Sequence, residues 1–339
     1  MSQAKEQRPA ILQSIARRRS VWILMALVLF VWLNNSPLFV SRTRSEPCLL
    51  AHRGLAQTFD VEGVEWDTNT ARIIHEPEHP YLENTIPSMQ AAFDYGADIV
   101  EFDVRLTKDE KLAVFHDFTV EYRTDGTGDV SDHTLEELQT LDVGYGYTAD
   151  GGRTYPFRGQ GVGMLPSIDE VFEAFPNEAF LVHVKDGGEV SARLLDGYFQ
   201  QMSPERLSRI SLYGDEAAML FLREKYPTLQ VLTKSLLIRA VLQYELVGWT
   251  GYVPPAMRAL EIHLPLNYAR WLWGWPDRFL ERMERVNTRM VLVNGNGGAS
   301  SGFDSEEELQ RLPEGYSGCI WTDRIDKIAP YFRDGNVEP

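Results

Sequence analysis

The sequence predicts an α/β fold, a distorted (β/α)8 barrel, on three observations. Short apolar strands alternate with amphipathic helices from residue 48 almost to the C-terminus. No Gly/Ser-rich linker or change of composition divides that stretch. The first strand runs into His52, Arg53 and Gly54, not into the glycine-rich nucleotide loop by which a doubly wound sheet, the alternative, announces itself. With 339 residues, 44% of them hydrophobic, the chain can build one large core, so residues 48–335 are expected to form one domain.

Strands are expected at 48–52, 98–105, 112–116, 179–185, 208–212, 229–233, 259–264, 289–294 and 318–322. Between several of them "TIPSMQAAFDYG", "SIDEVFEAFP", "EAAMLFLREKYP", "DRFLERMERVN" and "SEEELQRL" space their apolar residues as helices do. Two segments exceed ordinary connections. Residues 55–82 follow the first strand, and residues 117–164 hold "RTDGTGDV", "DVGYGYTADGG" and "FRGQGVG". Loops this long are usually functional or mobile, and on a barrel they would build the rim over the strand C-terminal ends.

Charge is uneven. Residues 1–44 hold seven Lys and Arg against one Glu, while the whole chain is −16, which leaves −22 on the remainder. So acidic a domain lacks the basic footprint of a nucleic-acid binder, and any phosphate it handles must meet a local cation. The basic excess flanks "VWILMALVLFVWL", residues 21–33. The expectation is a basic cytoplasmic segment over 1–20, an uncleaved transmembrane anchor over 21–40 and a linker over 41–47. A span needs roughly 17–25 apolar residues, so this one reaches the length only with polar members included. A cleaved signal peptide competes, but "LNNSPLFVSRTRS" has no A-x-A-like site. Five basic residues before the span against two after it place the N-terminus in the cytoplasm and the large domain on the periplasmic or extracellular side. In a closed barrel Cys48 and Cys319 sit on neighbouring strands, and an oxidising compartment would allow a disulfide. Two buried thiols are the alternative.

Chemistry concentrates in "DIVEFDVRLTKDEKLAVFHD", residues 98–117. Side chains alternate along a strand, so Glu101 and Asp103 share one face. A tight turn between Asp109 and Glu110 would return the chain with His116 opposite Asp103. Two carboxylates there could hold a hard cation through oxygen, with an imidazole near enough to exchange protons. In "FLVHVKD" His183 and Lys185 share a face, and a lysine in so apolar a strand needs an anionic partner. Arg53 offers a planar fork suited to phosphate oxygens, and Gly54 lets the backbone turn away.

Taken in order, "AHRG", "LENT", "GADIVEFDVRLTKDEKLAVFHD", "RTDGTG", "LPSIDEVFEAFP", "HVKD" and "WTDR" resemble the glycerophosphodiester phosphodiesterases, a family related to the phosphatidylinositol-specific phospholipases C. The resemblance covers residues 48–330. It implies a TIM barrel that binds a divalent cation, Ca2+ or Mg2+, and hydrolyses glycerophosphodiesters to sn-glycerol 3-phosphate and an alcohol. Carried across, His52 and His116 match the acid–base histidines, Glu101 and Asp103 match metal carboxylates, and Arg53 and Lys185 match phosphate-facing cations. Glu83 matches a position near the site, as an orienter of Arg53 or a residue of the helix opening. The family commonly has an acidic residue two positions before the lysine. Here it is His183, an imidazole that suits zinc or manganese better than calcium, so the metal is left open. The long segment 55–82 is a second departure.

Weaker features have plain readings. Trp271, Trp273 and Trp275 fall in a loop that is either an apolar lip for an acyl chain or a small aromatic core. Glu261 and His263 share a strand face and are read as packing residues. His75 and His79 in "HEPEHP" are read as loop residues. The substrate follows as a glycerophosphodiester or, given the apolar N-terminus and the tryptophans, a lysophospholipid. A phosphodiester-binding protein without catalysis is the third possibility, motivated by His183.

Overall fold

Cys48–Ala51 form the first strand, β1, and all four residues are buried. Strands of a parallel sheet covered by helices read as continuous apolar runs. Burial is nearly as complete in β2 (Ile99–Leu106, which carries Glu101, Asp103 and Arg105 among its apolar residues), β4 (Phe180–Val184), β8 (Arg289–Val293) and β9 (Cys319–Thr322). The others are β3 (Leu112–Val114), β5 (Ile210–Gly214), β6 (Gln230–Leu232) and β7 (Glu261–Pro265). This computed structural model describes residues 3–40, 46–65, 67–295 and 301–333.

The strands run in the order β6-β5-β4-β2-β1-β9-β8-β7. Their neighbours pair in parallel, and a parallel bridge between Val231 and Leu260 brings the two ends together. The result is a near-closed barrel of eight parallel strands, and β3 pairs antiparallel with β2 outside that ring. Each of the nine expected strands is present, with ends shifted by at most two residues. The first and last strands are neighbours, Cys48 opposite Cys319 in register, and the two cysteines form a disulfide.

Strand parity sorts the interior. Leu50, Ile99, Leu181, Val291 and Trp321 pack with the disulfide as an apolar floor. Residues of the same parity further along β2, β4 and β5 are Glu101, Asp103, His183 and Tyr213, so chemistry sits at the strand C-terminal ends, where barrels of this kind place it. Opposite parity faces the helices, where Phe93, Phe102, Phe175 and Phe180 meet edge to face or tilted. The long segments 55–82 and 117–164 share a second core built from Ala71, Ile74, Leu82, Val120, Tyr147 and Phe157 among others.

The anchor expected over 21–40 is not supported as a membrane span. A helix forms over Gln3–Asn35, but among the described residues no helix is long and apolar enough to cross a membrane. The apolar run stops at Leu33, and Asn34, Asn35 and Pro37 close the helix. Its end is held on the barrel wall. Asn34 O accepts from Arg282 Nη2 at 2.6 Å, Asn35 Nδ2 donates to Trp249 O at 2.9 Å, and Phe30 lies edge-on to Trp249. Most side chains from Val21 to Leu33 are exposed. The linker positions 41–45 and the side chains of residues 1–17 lie outside the described residues.

Candidate active site

The turn after β1 is held from three sides. Arg53 stands at φ +58°, unusual for a residue with a side chain. Its backbone N–H donates to Glu101 Oε2 at 3.1 Å, and its carbonyl accepts from Asn84 N. Gly54, at φ +78°, lies against the start of the helix Ile86–Asp94, where a Cβ would come within 2.6 Å of Ser88 Oγ. That helix opens with a reciprocal Thr85–Ser88 cap. "HRG" and "ENT" are thereby locked together, and Asn84, also at φ +58°, donates from Nδ2 to Asp103 Oδ2 at 3.0 Å.

Sheet register assembles the acidic centre. Asp103 lies opposite His183, and His183 opposite Tyr213. His183 Nδ1 is 2.9 Å from Asp103 Oδ1 and 3.9 Å from Glu101 Oε1. Tyr213 stacks on the His183 ring at 3.9 Å and donates from its hydroxyl to Glu101 Oε1 at 2.7 Å. Glu101, Asp103 and His183 each offer one ligand atom, all within 4.8 Å of one another. Lys185 Nζ is 3.5 Å from Asp103 Oδ1, and Arg53 Nε 3.4 Å from Asp103 Oδ2.

Both acid–base candidates have Nδ1 on a carboxylate. His52 Nδ1 is 2.5 Å from Asp323 Oδ1, and His116 Nδ1 is 2.7 Å from Asp117 Oδ1. In each, Nε2 is the nitrogen turned away from that carboxylate. Arg53 Nε donates to His52 Nε2 at 3.1 Å. From Arg53 the network continues through ion pairs to Glu83, Arg123 and Asp117, at 2.9, 3.2 and 2.8 Å in turn. It ends on His116, so both imidazoles belong to one charged constellation.

Electrostatics follow from burial. Burial and the nearby Asp103 charge raise Glu101 above the carboxylate range. Burial also favours the neutral form of Asp103, but Lys185, His116 and Arg53 outweigh it and hold that carboxyl well below its usual range. Burial takes His183 down to about 3 and His116 down to about 4. His52 is shifted up, because Asp323 outweighs burial and the Arg53 charge. Five carboxylates (Glu83, Glu101, Asp103, Asp117 and Asp323) face Arg53, Arg123 and Lys185. Carboxylates outnumber these fixed cations, and two of them, Glu101 and Asp103, crowd one point, which fits a divalent ion.

One expectation is off by one residue. Asp103 faces Phe115 across the hairpin, not His116, because Phe115 N donates to Asp103 O. The connection is a three-residue loop centred on Asp109 with Glu110 at φ +54°, and an odd loop shifts the register. His116 reaches the site from beyond the end of β3 instead. Asp323, Tyr213, Asn84, Asp117 and Arg123 went unassigned in the sequence. For Asp323 the signal was present in "WTDR": β1 and β9 are neighbours with Ala51 opposite Thr322, which sets His52 beside Asp323.

Other polar candidates make no contact with the three carboxylate and imidazole groups of the centre, although His263 borders it through Tyr213. Asp186 bonds Arg105 Nη1 at 2.6 Å and Leu106 N. Glu261 is buried against Arg289 at 2.9 Å, and His263 packs edge-on to Tyr213 and Trp321. His75 bonds Thr58 and His79 bonds Gln57. Trp273 and Trp275 are partly buried against the core, whereas Trp271 is 73% exposed.

The sequence model of the Glycerophosphoryl diester phosphodiesterase family matches residues 52–327. The chain belongs to that family. It is 42% identical over 103 residues to a glycerophosphodiester phosphodiesterase of Caldanaerobacter subterraneus subsp. tengcongensis, covering 30% of this chain and 39% of that protein. It is 28% identical over 190 residues to a lysophospholipase D of Homo sapiens, covering 54% of this chain and 57% of the relative. Three curated relatives are matched over only 35–39% of their own length. A crystal structure of a glycerophosphodiester phosphodiesterase from Agrobacterium tumefaciens superposes with a TM-score of 0.56 at 19% identity, covering 86% of this chain and 100% of the other, and shares the fold.

Proposed function

We propose that this family member hydrolyses glycerophosphodiesters to sn-glycerol 3-phosphate and an alcohol. The observation that carries the reading is the meeting, at one end of the barrel, of two carboxylate-held imidazoles with Arg53, Lys185 and a candidate metal triad. Glu101, Asp103 and His183 would hold the divalent ion, which when bound polarises the phosphoryl oxygens and stabilises their growing charge. Arg53 and Lys185 supply further positive charge beside the same oxygens, preorganised by Glu83 and Asp103. One histidine accepts the attacking hydroxyl's proton and the other protonates the departing alkoxide. Water or the substrate's own neighbouring hydroxyl serves as nucleophile, the latter by way of a cyclic phosphate. The test is release of glycerol 3-phosphate from glycerophosphocholine, with and without chelator, by wild type, His52→Ala and His116→Ala. Each variant should lose at least ~100-fold in kcat, from the scale of general acid–base catalysis. Undiminished turnover in either variant rejects the acid–base assignment, and no turnover by the wild type with any divalent ion favours a binding protein.

A second reading takes a lysophospholipid as substrate. Exposed Tyr268 and Trp271 beside the barrel favour it, since amphipathic aromatic rings suit a lipid–water interface. Rates on lysophosphatidylcholine against glycerophosphocholine separate the two, and strong preference for the deacylated compound removes the lipid reading.

A further inference from the structure

The reading that this site binds a divalent ion leaves open which ion, and the donor set itself bears on that choice. Resting on that reading, we propose that the Glu101–Asp103–His183 site selects a first-row transition ion, with Zn2+ preferred, over Ca2+ and Mg2+.

Ca2+ takes six to eight oxygen ligands, and Mg2+ takes near-octahedral oxygen. Here the described donors are two carboxylates and one imidazole nitrogen. Three protein ligands with one position open to substrate is the usual make-up of a catalytic zinc site. Imidazole suits zinc and its neighbours, whereas carboxylates alone suit Mg2+ and Ca2+.

The imidazole is also built to stay there. His183 is placed opposite Asp103 by the β2–β4 register. Its ring is clamped under Tyr213 at an interplanar angle of 19°, and the same tyrosine fixes Glu101 through its hydroxyl. Nδ1 is the atom presented, 2.9 and 3.9 Å from the two carboxylate oxygens. Four ligands at the ~2.1 Å bond length of zinc stand roughly 3.4 Å apart, between those two separations, so small movements close the set. Asp103 is engaged by Asn84, Arg53 and Lys185 at the same time.

The test uses the full-length protein, stripped with chelator and dialysed against an equimolar mixture of Zn2+, Mn2+, Mg2+ and Ca2+, with bound metal measured per chain. The wild type should retain close to one Zn2+ and no Ca2+ above background. His183→Glu should move the Zn2+/Ca2+ affinity ratio toward Ca2+ by at least tenfold. Co2+ titrated into the wild type should give visible absorption of a nitrogen-ligated, low-coordinate ion, a readout independent of turnover and of how the variant folds. Retention of Ca2+ or Mg2+ by the wild type, or an unchanged Zn2+/Ca2+ affinity ratio in a folded His183→Glu protein, overturns the inference while the phosphodiesterase reading stands. A protein that retains no metal yet hydrolyses glycerophosphocholine in chelator removes the metal site altogether.

Discussion

The two histidines are held by different kinds of structure. His52 and its partner Asp323 hang from β1 and β9, adjacent strands whose pairing runs from Cys48–Cys319 to Ala51–Thr322. His116 and Asp117 lie beyond the end of β3, and their support is Arg123, which comes from the rim segment and its small separate core. The same Nδ1–carboxylate arrangement is thus built once from sheet register and once from a buried charge. The sheet-built arm should resist damage to individual side chains, whereas the loop-built arm concentrates its support in one guanidinium.

The largest expected effect breaks the loop-built arm. Arg123 is buried between Glu83 and Asp117 and also bonds Tyr147 and Thr70. Arg123→Met removes a buried cation from both Glu83 and Asp117 and should cost about 3–5 kcal/mol, read in urea unfolding, with turnover falling alongside. A loss under 1 kcal/mol would show that the rim is held by its apolar core alone.

On the sheet-built arm, Cys48→Ser/Cys319→Ser should cost about 2–4 kcal/mol, the usual worth of a disulfide closing a long loop. The His52–Asp323 contact should survive, because strand pairing remains. Unfolding curves with and without reductant measure the first point, and unchanged KM of the doubly substituted protein checks the second.

Asp323→Asn sharpens the comparison by leaving the strands intact. It removes the charge that orients His52 and raises its proton affinity. Turnover should fall about 10- to 100-fold, taking a charged hydrogen bond at 1.5–3 kcal/mol, with stability nearly unchanged. The pH profile should move as well, because His52 would then lose its proton at lower pH. An unaltered profile would reduce Asp323 to packing.

The smallest effect concerns Asp304, which accepts from Asp323 N at 2.7 Å and from Thr322 Oγ1 at 2.9 Å. Burial, then the Asp323 charge, raises its pKa above the unfolded value. The folded state therefore holds a proton that the unfolded state releases above about pH 4. By linkage, this group's contribution to stability declines as pH rises from there toward its raised folded value. Asp304→Asn keeps the accepting oxygen and should flatten that decline. Tm measured from pH 5 to 8.5 in both proteins tests it, and parallel curves would refute it.

Much of the site was legible because parity within one strand is local. The spacing Glu101-x-Asp103 and His183-x-Lys185 puts each pair on one face whatever the partners. Pairing between strands is not local. The three-residue loop at Lys108–Glu110 moved His116 one place from the expected partner, and Asp323 acquired meaning only when β9 closed against β1. The apolar N-terminus is a different case: composition marks a helix, which forms, while its strictly apolar part, residues 21–33, is thirteen residues long.

By itself, then, the sequence determined the strand–helix alternation, the inward carboxylates and imidazoles, and the family. Those follow from side-chain periodicity and from residue types fixed along a few consecutive positions. Only the tertiary structure decided that Asp323 orients His52, that Arg123 binds the rim to Glu83, and that Tyr213 clamps His183. Those contacts join residues from 30 to 271 positions apart, and what brings them together is the register and closure of the barrel and the packing of the rim segment on it.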